Sequence, residues 1–120
     1  MTECKWFKLS EFDSPDLEGS GEMMDEVLLK TLDLARDIYG SPMIINSGFR
    51  TIEHNKKAGG SKNSSHLLGL AVDIRCTNSH QRFLMLEALM DAGFTRIGIA
   101  DTFIHVDVDT EKPELLIWTY

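Results

Sequence analysis

Leu70-Ala71-Val72-Asp73-Ile74-Arg75-Cys76 and Phe103-Ile104-His105-Val106-Asp107-Val108-Asp109 are the two runs on which the fold turns. Successive side chains of a strand point to opposite faces, so each run divides into an apolar set and a polar one. Leu70, Val72, Ile74 and Cys76 share one face of the first run, and Ile104, Val106 and Val108 share one face of the second. The opposite faces carry Ala71, Asp73 and Arg75 in the first, and Phe103, His105, Asp107 and Asp109 in the second. If the two strands lie in one sheet, their apolar faces bury together and Asp73 meets His105 on the other side. A polar cleft on that side, away from the helices, is the expected site.

Outward from these runs, 96–100 and 115–120 read as further short β-rich stretches between turn-forming residues, and 43–49 as a short buried strand. Between 22 and 39, Leu28, Leu32, Ala35 and Tyr39 recur at helical spacing. Glu22, Asp25 and Glu26 stand at the end the helix dipole makes positive, and Gly40 and Pro42 stop the helix. A second helix starts from an Asn78 or Ser79 cap, presents Phe83, Leu86 and Met90 as its apolar stripe and ends at Gly93. The first twenty residues predict an irregular arm anchored by Trp6, Phe7, Leu9 and Phe12. Residues 50–65, polar and carrying Gly59-Gly60, predict a long loop. The fold class that follows is α+β: a small antiparallel sheet with helices on one face and the polar site on the other.

The 120 residues suit a single domain over 1–120, with no repeat, linker or low-complexity tract. Twelve basic against nineteen acidic residues give a formal charge of −7, which argues against nucleic acid as a partner. No stretch approaches the ~20 consecutive apolar residues that span a bilayer, so no membrane partner is expected. The start, Met1-Thr2-Glu3-Cys4-Lys5-Trp6-Phe7, lacks the pattern of a secretory signal, so the chain is expected in the cytoplasm as synthesised. Cys4 and Cys76 are too few and too far apart for a zinc knuckle or a disulfide scaffold and read as reduced thiols. His54 and His80 read as ordinary polar-loop and helix-start residues.

A catalytic zinc takes three protein ligands from imidazole or carboxylate and keeps a fourth position for water. Two histidines and one carboxylate meet that need. His66 stands seven residues before Asp73, at a junction of loop and strand, where the chain can fold back and bring both side chains to one ion.

The run Ser64-Ser65-His66-Leu67-Leu68-Gly69-Leu70-Ala71-Val72-Asp73 fits the pattern SxHxxGxAxD and resembles the zinc D-Ala-D-Ala carboxypeptidases of peptidase family M15, in particular their small phage and bacterial members. Ile45-Asn46-Ser47-Gly48-Phe49-Arg50-Thr51, with Asn55, is similar to the family's upstream SGxR segment, and Phe103-Ile104-His105-Val106-Asp107 to its downstream metal-binding strand. Phe7-Lys8-Leu9-Ser10-Glu11-Phe12 also looks like the start of the small members. The resemblance implies a fold like that of these carboxypeptidases and of hedgehog signalling domains. It implies one Zn2+ per chain on His66, Asp73 and His105, and a substrate that is a peptidoglycan stem peptide or another peptide containing D-amino acids. The activity implied is that of a D-Ala-D-Ala carboxypeptidase or an endolysin-like L,D-endopeptidase; the lack of a signal pattern and of a wall-binding repeat suits a phage-encoded enzyme released to the cell wall, or a cytoplasmic dipeptidase.

By the same resemblance Arg50 meets a substrate carboxylate or carbonyl, which suits its planar fork, although a structural salt bridge is the other reading. Ser64 either contacts substrate or a ligand carboxylate, or shapes a turn. The sequence departs from several relatives where they hold the general base, because Thr102 and Phe103 occupy those positions. Asp107, on the face of His105, and Asp101, in the preceding turn, are the two candidates. Asp107 could equally orient a histidine ligand. The missing base also leaves open a catalytically silent, zinc-containing peptide-binding module of the same fold. Oligomeric state is not legible.

Overall fold

In the computed structural model, which describes residues 3–120, the two decisive runs are neighbouring antiparallel strands. Five strands form one sheet: β1 (Ile45–Ser47), β2 (Ala71–Arg75), β3 (Arg96–Ile99), β4 (Phe103–Asp107) and β5 (Leu116–Thr119), in the order β1-β2-β4-β3-β5. The pairs β1–β2, β2–β4 and β3–β4 are antiparallel, but β5 runs parallel to β3. The sheet is therefore mixed, a correction to the antiparallel expectation. β5 reaches β3 through the turns after β4 rather than by a hairpin, and that path sets its direction.

Val72, Ile74, Ile97, Ile104 and Val106 turn to one face and form the core with Leu28, Leu29, Leu32 and Ala35 of α1 (Glu26–Tyr39) and Met85 and Leu89 of α3 (Ser79–Ala92). Asp25 caps α1, its carboxylate accepting from the Leu28 amide, and the preceding Ser20–Met23 is a separate 3-10 turn. The helix thus begins later than the expected residue 22. Asn78 caps α3, and Gly93 ends it in the left-handed conformation. Of its expected stripe only Leu86 packs against the core; Phe83 and Met90 are exposed, and Met85, Ala88 and Leu89 are the buried residues. Phe83 to Met90 is apolar on nearly every side, so periodicity does not select the buried face.

The expected loop at 50–65 holds a short helix, α2 (Ile52–Lys57), capped by Thr51, and leads into a 3-10 turn over Ser65–Leu68. The arm behaves as expected: Phe7 and Phe12 enter the core, and the Trp6 ring lies 4.1 Å from the Arg36 guanidinium. Among the described residues no helix is long and apolar enough to cross a membrane.

The arm closes against β1 where Phe49 donates its amide to the Phe12 carbonyl at 2.9 Å. Gly48 makes this approach possible, because a Cβ there would stand 2.7 Å from Phe12 Cα and 2.8 Å from its carbonyl oxygen. Backbone has to yield to such a contact, so Gly48→Ala is expected to cost about 1–3 kcal/mol, as overpacking does. Denaturant unfolding measures this; an unchanged midpoint would mean that the arm is not held here.

Candidate metal centre and cleft

Asp73 on β2 stands directly opposite His105 on β4, and on the other side of β4 His105 stands opposite Gly98 of β3. Cross-strand partners on one face lie close enough for their side chains to touch. His105 Nδ1 faces Asp73 Oδ1 at 2.9 Å. The third residue arrives from outside the sheet. Ser64, whose hydroxyl accepts from the His66 amide at 3.2 Å, caps the 3-10 turn and swings His66 over β2, with its Nε2 3.3 Å from the same Asp73 oxygen.

The His66 ring is oriented by a single bond. Its Nδ1 lies 2.7 Å from the Gly48 carbonyl, which can only accept, so Nδ1 donates there and Nε2 is the atom turned to Asp73 and the centre. His105 lies between two carboxylates, its Nε2 2.7 Å from Asp107 Oδ2 and its Nδ1 turned to Asp73 and the centre. His66, Asp73 and His105 are all buried, and one donor atom from each lies within 4.8 Å of the other two. Ligands about 2.0–2.2 Å from a tetrahedral ion stand about 3.3–3.6 Å apart. The 3.3 Å separation from His66 to Asp73 Oδ1 matches that and the 2.9 Å separation from His105 is a little shorter, so the donor set suits a zinc ion in chemistry and lies near its spacing.

Two arginines balance the two buried carboxylates. Arg50 points an amino group at Asp73 Oδ2 (3.3 Å) and is braced by Ser47 (2.9 Å) and Asn55 (3.3 Å). Arg96 Nε donates to Asp107 Oδ1 at 2.6 Å, and a further Arg96 N–H reaches the Pro113 carbonyl. Burial alone would raise the Asp73 pKa, but hydrogen bonds from His105 and His66 outweigh it and hold the carboxyl well below its usual range. Burial likewise opposes charge on His105, yet Asp107 and Asp73 outweigh it and raise its pKa. Asp107 is lowered against burial by His105 and Arg96.

Every residue named from the sequence can now be placed. His66, Asp73, His105, Arg50, Ser64 and Asp107 line one cleft of about 320 Å³, at the lower end of small-ligand sites. Asp101 does not line it; it is exposed in the β3–β4 turn, and its carbonyl accepts from Arg82. Asp107 lies behind the His105 ring with both oxygens engaged, the geometry of a residue that orients the imidazole. Arg50 makes the salt bridge that was its alternative reading while still facing the cleft. Asp109 accepts from Ser65 (2.7 Å), whose hydroxyl receives Lys112 Nζ (2.8 Å), closing one rim. Arg96, Lys112, Trp118 and Tyr120 also line the cleft. Alternation from Arg96 to Gly98 could have placed Arg96 on the polar face, but its pairing with Asp107 needs the strand register.

These pKa shifts give the metal-stripped protein a defined pH response. Asp73, depressed in the fold, contributes stability that is present above about pH 4 and lost as the pH falls; His105, raised, contributes stability present below about pH 6.5 and lost as the pH rises through its folded value. Melting temperature should therefore be highest between about pH 4 and 6.5, and His105→Gln should flatten the decline above that window. Thermal melts in chelator across pH 4–8 check this; a wild-type profile still rising beyond pH 7 would contradict it.

No curated protein matches the chain in a sequence comparison. A family model described as Peptidase M15 matches residues 6–107, a stretch that contains β1 to β4, His66, Asp73, His105, Arg50 and Asp107. The match spans most of the 120 residues and contains the whole buried site, so the chain belongs to peptidase family M15.

Proposed function

We propose that the protein is a zinc peptidase that hydrolyses an amide bond in peptidoglycan-type peptides containing D-amino acids, as a carboxypeptidase or an endolysin-like endopeptidase. The observation that carries this reading is the convergence of His66, Asp73 and His105 in a cleft that also presents the Arg50 guanidinium. A zinc ion held by these three would polarise the scissile carbonyl and lower the pKa of a water molecule toward ~7.

The chain's own residues supply the rest. Arg50, pre-oriented by Ser47, Asn55 and Asp73, offers a fixed planar fork to a substrate carboxylate or carbonyl. Asp107 holds His105 in the tautomer that leaves Nδ1 free, and Gly48 does the same for His66 Nε2. Ser64 acts by capping the turn that carries His66. Among the described cleft residues the carboxylates are Asp73 and Asp107, both committed, and this favours one second reading, a silent peptide-binding module of the same fold. Zinc reconstitution with elemental analysis, followed by incubation with purified muropeptides, tests both. One zinc per chain, lost in Asp73→Ala, with cleavage by the wild type supports the peptidase. Zinc without cleavage supports the silent module, and failure to retain zinc overturns both.

Asp107→Asn separates its two candidate roles. As an orienting residue it should weaken zinc affinity about 10- to 100-fold, with activity largely restored by excess zinc. A proton acceptor would instead leave affinity intact and lower the rate ~10²–10⁴-fold. The first result is expected, and Asp101→Asn should alter neither quantity.

A further inference from the structure

We infer that the Tyr120 hydroxyl donates a hydrogen bond to the substrate from the cleft wall formed by Phe103 and Trp118, and that the Trp118 indole positions it. This rests on the peptidase reading above. Trp118 and Tyr120 both lie beyond residue 107, where the family match ends.

Parallel pairing of β5 with β3 sets Trp118 beside Gly98, and Tyr120, two residues on, falls on the same face of the sheet as Asp73 and His105. The Tyr120 amide donates to the Ile99 carbonyl, which continues the strand to this residue. Gly98 has to be glycine for this wall to form, because a Cβ there would lie 2.6 Å from Trp118 Nε1. With no side chain in the way, the indole lies across β3, its centroid 5.6 Å from the His105 ring and its face 5.1 Å from the Arg96 guanidinium. The Tyr120 ring rests on Phe103 with centroids 5.5 Å apart.

The neighbouring Trp118 indole N–H can only donate, so whatever it offers the phenol oxygen leaves the phenol's own proton free for another partner. Burial, together with the negative charges of Asp73 and Asp107, also raises the phenol pKa over the opposing effects of Trp118 and Arg50, so the group remains a donor at neutral pH. The two carboxylates at the centre are engaged by arginines and imidazoles and can only accept, so Tyr120 adds a neutral donor beside the Arg50 guanidinium. Tyr120 is 71% exposed and lines the cleft, so a bound peptide can reach it. Amide hydrolysis builds negative charge on the carbonyl oxygen, and a fixed donor aimed at that oxygen binds the transition state more tightly than the substrate.

The test uses the full zinc-loaded chain, an N-acetylated peptide ending in D-Ala-D-Ala, and a phosphinate analogue whose tetrahedral phosphorus replaces the scissile carbonyl. Tyr120→Phe should lower kcat about 10- to 100-fold with KM little changed, and weaken phosphinate binding, read by calorimetry, by a similar factor. Zinc content should stay at that of the wild type. Trp118→Phe, which keeps an aromatic ring and removes the indole N–H, should give a smaller loss in the same direction. Unchanged kcat and phosphinate affinity in Tyr120→Phe overturns the inference, and so does a loss that tracks loss of zinc, which would mark a structural role. If the wild type neither cleaves the peptide nor binds the phosphinate, the peptidase reading fails first and this inference falls with it.

Discussion

The Asp73 carboxylate is the constraint on which the site is built. It is 7% exposed, and a carboxylate withdrawn from water costs several kcal/mol unless its oxygens are met by donors or cations. One oxygen faces both imidazoles and the other faces Arg50. Each of those partners needs its own support: the Gly48 carbonyl for His66, Asp107 for His105, Ser47 and Asn55 for Arg50. Asp107, buried in turn, requires Arg96. The chain of requirements runs from β1 through β4 to β3, so much of the polar face follows from one buried charge.

That arrangement suits metal ligation better than a permanent salt-bridge network. Two arginines offset two carboxylates, so with neutral histidines the four charged groups sum to zero and a divalent cation would bring the net positive charge. Neutral imidazole is the form that ligates, and the hydrogen bonds on the outer nitrogens of both rings favour the tautomers that leave Nε2 of His66 and Nδ1 of His105 turned inward. The raised pKa of His105 is the counterpart: Asp107 and Asp73 on its two sides favour positive charge there, against the opposing effect of burial.

What the sequence disclosed follows the range of the physics involved. Strand alternation is local, so the faces of β2 and β4, and the meeting of Asp73 with His105, were readable from residues 70–76 and 103–109. The start of α3 at Asn78 and its end at Gly93 were readable for the same reason. Its buried face was not, because Phe83, Leu84, Met85, Leu86, Leu89 and Met90 offer apolar surface all round and only packing against α1 chooses among them. α2 hid in a polar segment, where the Thr51 cap was its sole strong mark. The parallel course of β5 and the Arg96–Asp107 pair depend on contacts between distant segments, which no local pattern encodes.

The cleft joins two parts with different demands. The metal side is fixed by buried charges that must be satisfied together, and a change at Asp73, His105 or Arg50 strands a partner in a dry environment, where truncation costs most. The far wall is an edge strand. Leu116, Ile117 and Tyr120 of this segment are largely exposed, and Trp118 needs from the sheet only the gap left by Gly98. Substitution there disturbs little of the fold, yet it alters what a bound peptide touches. Catalytic groups can therefore stay fixed by the electrostatics of the centre while the chemistry of the wall, set by β5, changes with the substrate.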